Sequence, residues 1–226
     1  MKIYAIVPIK HTSTRVPGKN FRMMNGKPLY YWIIKTLLSV NQIDKIIIDT
    51  NSDHLKLDIW NYFDKNSKIV LYDRPEHLWP GDTSTNVLLK NIITDMKLDA
   101  DYYLQTHVTN PLLKKETIES AINTFLEKKD SYDTLFSAKT LYTRLYTKDG
   151  KDMNHNRKVL IPTQDLDPIY DENSCMYIFS EETLFKFDAR IGDNALIYPM
   201  STLESQDIDW EDDFIITELI MKQFYL

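Results

Sequence analysis

At 226 residues, 43% hydrophobic and 27% charged, the chain has the size and balance of one globular domain with a full core. Its net charge of −6 argues against a nucleic-acid binder, and one cysteine, Cys175, excludes an internal disulfide or a cysteine cluster for structural zinc. The opening MKIYAIVPIK reads as a buried strand rather than a signal peptide, and no later run reaches transmembrane length, so the expectation is a cytoplasmic protein without a membrane partner.

Apolar runs and amphipathic stretches alternate over the first 140 or so residues. Strands are predicted at Ile3–Ile9, Lys45–Asp49, Lys68–Tyr72, Asp101–Gln105 and Thr134–Ala138. Helices are predicted between them, near Leu29–Val40, His54–Phe63, Thr85–Met96 and Lys115–Lys128. Strands that alternate with helices predict an α/β fold: a mainly parallel sheet with helices on both faces. In such sheets ligands bind outside the carboxyl ends of the strands, which directs attention to the loops at 9–20, 73–85 and 106–112. From Lys139 to Glu172 the sequence turns polar and loses periodicity, as in an arm or insertion rather than core. Strands follow at Met176–Phe179 and Ala195–Tyr198, and a closing helix near Asp212–Phe224.

Charge is unevenly placed. The first 43 residues hold seven Lys or Arg and no acid, leaving 20 basic against 33 acidic residues, or −13, in the remainder. Seven acids and no base lie between Glu204 and Glu218. A basic opening and an acidic closing segment can bracket a phosphate–metal site, although solvated faces would give the same counts.

The first strand runs into Lys10, then a small polar loop (His11, Thr12, Ser13, Thr14), then Arg15-Val16-Pro17-Gly18-Lys19-Asn20. Such a loop can aim N–H groups and hydroxyls at phosphate oxygens while Lys and Arg neutralise charge. It is neither a Walker loop nor a dinucleotide glycine fingerprint. The basic surface turn stays open as the plain reading.

The run STRVPGKN followed by NGKPL resembles the nucleotide-binding signature of the cytidylyltransferases that activate 3-deoxy-D-manno-octulosonate and sialic acids. The resemblance implies that fold, a three-layer nucleotide-diphospho-sugar transferase-like sheet, in a single domain over 1–226, and the coupling of CTP to an acidic 2-keto-3-deoxy sugar with release of pyrophosphate. It makes Lys10, Ser13, Arg15, Lys19 and Asn20 nucleotide contacts, with Lys19 and Arg15 stabilising charge on the phosphates. Lys10 stands where the family usually has arginine, which keeps charge but loses the bidentate fork.

Four further segments match in the family's order. DRPEHLWPGDTST carries Arg74 and the group Asp82, Thr83 and Thr85 as nucleotide contacts by the resemblance; alone, Arg74-Pro75 reads as a turn and Asp82 as a helix cap. LQTHVTNPLL places Gln105 or His107 at the family's glutamine, which the resemblance makes a substrate contact, with Asn110 for serine and Leu113 for arginine. TQDLDPIYDENSCMYIF aligns Gln164, Asp165, Tyr170 and Asn173 with acceptor-sugar contacts, with Thr163 for arginine and Ser174 for glycine. SQDIDWEDDFIITEL matches the family's Asp-x-Asp, assigning Asp207 and Asp209 to Mg²⁺; carboxylates two apart on an extended strand end face one side, and Mg²⁺ takes one or two carboxylates plus phosphate oxygens. Asp212 and Asp213 read as helix-capping acids. The resemblance also makes the stretch at about 139–172 a dimerisation arm, and a homodimer is expected. The departures at Asn110, Leu113, Thr163 and Ser174 leave the acceptor open to a sialic-acid-like or octulosonate-like sugar, another acidic compound such as a phosphonate, or a non-catalytic nucleotide-binding role.

Overall fold

The structure is a computed structural model that describes residues 1–224. Its first strand, β1 (Ile3–Ile9), is buried almost throughout. The chain then passes through a short 3₁₀ turn at Lys19–Phe21 and a small hairpin, β2 (Met23–Met24) and β3 (Lys27–Pro28), into α1 (Leu29–Ser39). There follow β4 (Lys45–Thr50), α2 (Asp53–Asp58), α3 (Trp60–Phe63), β5 (Ile69–Asp73), α4 (Thr85–Asp95), β6 (Tyr102–Gln105) and α5 (Lys115–Lys128). The second half holds β7 (Thr134–Leu141), β8 (Ile169–Phe179), α6 (Glu181–Phe187), β9 (Ala195–Met200) and α7 (Glu211–Phe224).

Seven strands form one sheet in the order β5-β4-β1-β6-β8-β7-β9. All neighbours run parallel except β8, which is antiparallel to both β6 and β7. The alternation of β1 explains the layers. Ile3, Ala5, Val7 and Ile9 face α1 and α5, meeting Ile33, Leu37, Ile118 and Phe125. Tyr4 and Ile6 face the other way, onto Leu89, Ile92 and Ile93 of α4 and Leu184 of α6. Both faces of the sheet are therefore covered, as parallel strands require.

Two sequence expectations need correction in detail. The helix predicted across His54–Phe63 is two pieces, because the turn at Ile59 tightens and Tyr62 N–H bonds Ile59 O at i−3. The strand predicted at Met176–Phe179 begins seven residues earlier, at Ile169, because its polar first half pairs with the end of β7 as the stem of the arm (Leu141↔Ile169, Lys139↔Asp171). The excursion itself is therefore 142–168. Between Phe136 and Ala138 the register slips, a bulge on β8 that contains Ser174 at φ +54°. That left-handed backbone is what glycine adopts freely, so serine here carries local strain.

A third apolar cluster joins the closing helix to the opening hairpin: Met24, Leu29, Leu112, Ile208, Phe214 and Met221. Arg22 strengthens the junction by bonding Glu211 at 2.6 Å and lying 4.1 Å over the Phe214 ring. The acidic end of the chain is thereby folded back onto its basic beginning.

Candidate active site

The chain climbs β1, crosses to β4 and β5, and returns to place β6 on the far side of β1. That reversal leaves a crevice above the carboxyl ends of the strands, the usual ligand position in open α/β sheets. A cleft of about 480 Å³ occupies it. The loop after β1 contributes Lys10, Ser13, Thr14, Arg15, Lys19 and Asn20; the loop after β5 contributes Arg74, Gly81 and Thr83. His107, Val108 and Thr109 come from the loop after β6, Ser174 from the β8 bulge, and Asp207 and Asp209 from the segment before α7.

The basic loop is held by its own residues. Asn20, buried, donates from Nδ2 to Lys10 O at 2.8 Å and ties the two ends together. Gly18 turns at φ +65°, and the Val16 side chain is fully buried. His11 N–H donates to Asn51 Oδ1 at 2.8 Å, fixing the loop to the end of β4. Lys19 is only 7% exposed, and its ammonium donates to Ile208 O. Burial lowers the Lys19 pKa below the usual lysine value; Asp207 and Asp209 oppose that shift, and Arg15 and Lys10 add to it.

The acidic segment is irregular rather than the strand end expected from the sequence. Its geometry comes from Ile208, whose side chain is buried among Met24, Leu112 and Phe214 while its N–H donates to Thr109 O at 3.1 Å. Pinned on both sides, Ile208 leaves the flanking carboxylates in the cleft wall. Asp209 Oδ1 meets Arg15 Nη2 at 2.5 Å. Burial raises the Asp207 pKa above the usual carboxylate value, with Asp209 adding to the rise while the Thr109 hydroxyl and Lys19 pull it down. Asp213 does cap α7, its carboxylate accepting from the Asp209 and Trp210 N–H groups at 3.0 and 2.7 Å.

Arg74 reaches the cleft through a partner that sequence reading did not single out. Asp49, fully buried at the end of β4, accepts from Arg74 Nε at 3.0 Å and from Nη2 at 2.6 Å. The signal was present as one acid closing the apolar run KIIID. His107 also lines the cleft; burial first, then the positive charges of Arg190 and Lys19, push its pKa down to about 3.

Several expected contacts lie elsewhere. Asp82 is exposed and outside the cleft lining, and Ser84 rather than Asp82 caps α4 by accepting from Val87 N–H at 3.3 Å. Gln105 is fully buried behind the wall. Asn173 points under the bulge, accepting from Ser137 Oγ at 2.6 Å and donating to Ser205 Oγ at 3.0 Å. Gln164 and Asp165 sit in a 3₁₀ turn on the arm, and Tyr170 is exposed on its stem, so this chain's own cleft receives none of them.

The sequence profile of a family described as Cytidylyltransferase matches residues 4–214. The chain belongs to that family. It is 26% identical over 95% of its length to an N-acylneuraminate cytidylyltransferase of Streptococcus agalactiae serotype V, but spans about half (52%) of that relative. It is 28% identical to a CMP-N,N'-diacetyllegionaminic acid synthase of Legionella pneumophila, covering 98% of this chain and 97% of the relative. Among solved structures, CMP:2-keto-3-deoxy-manno-octonic acid synthetase in complex with CTP superposes with a TM-score of 0.70 at 13% identity over 99% of both chains. A 4-diphosphocytidyl-2C-methyl-D-erythritol synthase from Anaerococcus prevotii gives 0.66 at 13% identity, over 98% of this chain and 96% of the other. These two likenesses establish the fold.

Proposed function

We propose that this cytidylyltransferase-family chain transfers CMP from CTP to an acidic 2-keto-3-deoxy sugar and releases pyrophosphate. One observation carries the reading: three cations of a single loop, Lys10, Arg15 and Lys19, line the same cleft as the carboxylates Asp207 and Asp209. The names of the two sequence relatives support the acceptor class, since an N-acylneuraminate cytidylyltransferase and a CMP-N,N'-diacetyllegionaminic acid synthase each take a sugar acid by name.

The chemistry asks chiefly for positioning and charge stabilisation. CTP brings roughly four negative charges and the acceptor a carboxylate, so the reactants repel each other until cations intervene. Lys19 and Lys10 act as point charges on the phosphates, and Arg15 adds a planar fork once it leaves Asp209. Arg74, rigid against Asp49, and the Ser13 and Thr83 hydroxyls orient the nucleotide. His107, neutral at physiological pH, serves as a hydrogen-bond group and not as a general acid.

The residues also fit Mg²⁺. Among the described residues there is no group of three or more His, Cys, Asp and Glu for an all-protein cage. Two carboxylates facing a cleft that also holds three cations are the donor set Mg²⁺ uses when a phosphate substrate supplies the rest. Asp207 and Asp209 would hold it, and it would supply charge screening for the triphosphate and a lowered pKa for the attacking hydroxyl.

The arm exposes Met153, Val159 and Leu160 and carries Gln164 and Asp165 away from their own cleft. A homodimer in which each arm reaches its neighbour accounts for both features. Among the described residues no helix is long and apolar enough to cross a membrane, and dependence on CTP suits a cytoplasmic enzyme. The deciding experiment supplies the chain with Mg²⁺, each of the four NTPs and a panel of 2-keto-3-deoxy sugar acids, and measures pyrophosphate. Release with CTP and one sugar class is expected. CTP binding without release from any pair would overturn the proposal in favour of a non-catalytic role.

A further inference from the structure

Three polar side chains, Arg190, Gln105 and His107, run in series from behind the cleft wall to its lining. Arg190, on the turn between α6 and β9, has a side chain 17% exposed, with its guanidinium carbon 3.6 Å from the Tyr177 ring centroid and Nη2 3.9 Å from Glu172 Oε1. Its backbone N–H is anchored on Asn86 Oδ1 at 3.3 Å. Its Nη1 donates to Gln105 Oε1 at 2.5 Å.

Arginine only donates, so the Gln105 atom that faces it has to be the carbonyl oxygen; the reversed amide would set N–H against N–H. This orientation turns Gln105 Nε2 the other way, where it donates to Thr106 O at 3.0 Å and lies 2.9 Å from His107 Nε2. An amide nitrogen does not accept, so His107 Nε2 must, and the one proton of the neutral ring stays on Nδ1. Gln105 is fully buried, and neither end can exchange its partner for bulk water. An imidazolium would again oppose two donors, and Arg190 and Lys19 both repel it. His107 Nδ1 has no bonded partner among the described residues and is not among their buried unsatisfied atoms, so it opens to the cleft that His107 lines.

The position selects the ligand. In the sheet order, the nucleotide-facing loops follow β5 and β1, whereas His107 follows β6 and Ser174 lies on β8, at the other end of the cleft. We propose that Arg190, acting through Gln105, is a positioning residue that locks His107 as the Nδ1–H tautomer and makes it a fixed donor to an oxygen of the acceptor sugar acid. A donor that does not ionise accepts a hydroxyl, carbonyl or carboxylate oxygen in that place and disfavours an amine. The acceptor half rests on the function proposed above; the tautomer half stands without it.

Long-range proton–nitrogen NMR of the full chain reports the tautomer of each of its five histidines, and the signal lost in His107→Gln assigns His107. The wild type is expected to show a protonated Nδ1 and a bare Nε2, unchanged from about pH 6 to 8. Arg190→Met keeps bulk over Tyr177 but removes the donor, and mixed tautomers are expected. Gln105→Glu presents only acceptors and is expected to draw the proton to Nε2, a second route should Arg190→Met fail to fold. An Nε2–H tautomer in the wild type, or spectra unchanged in the folded variants, overturns the proposal. In pyrophosphate assays Arg190→Met is expected to raise the sugar-acid KM roughly tenfold and leave the CTP KM unchanged. A rise confined to CTP would overturn the acceptor assignment while the NMR result stands.

Discussion

Arg15 Nη2 and Asp209 Oδ1 meet at 2.5 Å, joining the basic loop to the acidic segment, and the Lys19 ammonium makes the same junction to Ile208 O across 189 residues of chain. Arg15 also lies 5.6 Å from the Trp210 ring. Both partners of the pair are partly exposed, at 49% and 40%, which keeps its worth to stability under about 1 kcal/mol. On the proposed function it would act as a latch, one that an incoming triphosphate would open at little cost. Arg15→Ala and Asp209→Asn are each expected to shift unfolding by less than about 1 kcal/mol yet to lower turnover roughly 100-fold or more. The double variant should lose less than the product of the two, because the groups share one charge balance. Urea titrations and steady-state kinetics measure both quantities, and strictly multiplicative losses in turnover would dissolve the coupling.

The Asp49–Arg74 pair is the opposite case. Its side chains are 0% and 5% exposed, so removing one charge leaves the other almost wholly buried without its partner. Asp49→Asn is expected to destabilise the chain by about 3 kcal/mol or more and to weaken CTP binding by loosening Arg74. The double variant Asp49→Asn with Arg74→Met, which removes the stranded charge, should recover much of the stability and none of the affinity. Denaturant midpoints and calorimetric titration with CTP separate the two effects; equal stability in Asp49→Asn and the double variant would show that no buried charge was stranded.

His107 gives the pH dependence. Its folded pKa of about 3 lies below the ordinary histidine value of about 6.5, so the unfolded chain binds a proton that the folded chain refuses. The sign follows: between those values, falling pH stabilises the unfolded state. His107→Gln removes this contribution and should gain stability relative to wild type as pH drops from about 6.5 towards 4, by at most about 1.4 kcal/mol per pH unit. Above about pH 7 the difference should be flat. Urea melts at several pH values test it, and a constant offset across the range would mean that His107 charges normally in the fold.

Much of this site was legible because local patterns encode it. The alternation of Ile3–Ile9 reports a strand covered on both faces, and the crowding of cations before residue 43 reports the loop that follows. Asp207 and Asp209 were legible as a pair, but not the reason they face the cleft, since that depends on where Ile208 is buried. The first half of β8 had no readable period because the arm stem leaves Tyr170, Asp171 and Glu172 exposed. Arg190 gave no signal at all. Its meaning lies in a bond to Gln105, 85 residues away, which no local pattern specifies. Gln164 and Asp165 show the converse: they kept the family's order along the chain while the fold carried them onto the arm.

The arm yields the last prediction. Leu160 is 78% exposed, Met153 61% and Val159 58%, three apolar side chains on one polar excursion with no cover from their own chain. The excursion is internally braced: Arg157 bonds Asp152 at 2.7 Å, and Asn154 bonds both Leu145 N–H and Thr143 O. A braced segment that presents apolar groups outward fits an interface better than a loose loop. Light scattering is expected to give twice the 26.7 kDa chain mass. Leu160→Lys should shift the population towards the single-chain mass while each chain stays folded, since Leu160 is already 78% exposed in its own chain. If Gln164 and Asp165 serve a neighbouring cleft, the same variant should raise the sugar-acid KM and leave CTP binding intact. A wild-type chain that remains at the single-chain mass at assay concentration would end both the dimer and the shared cleft.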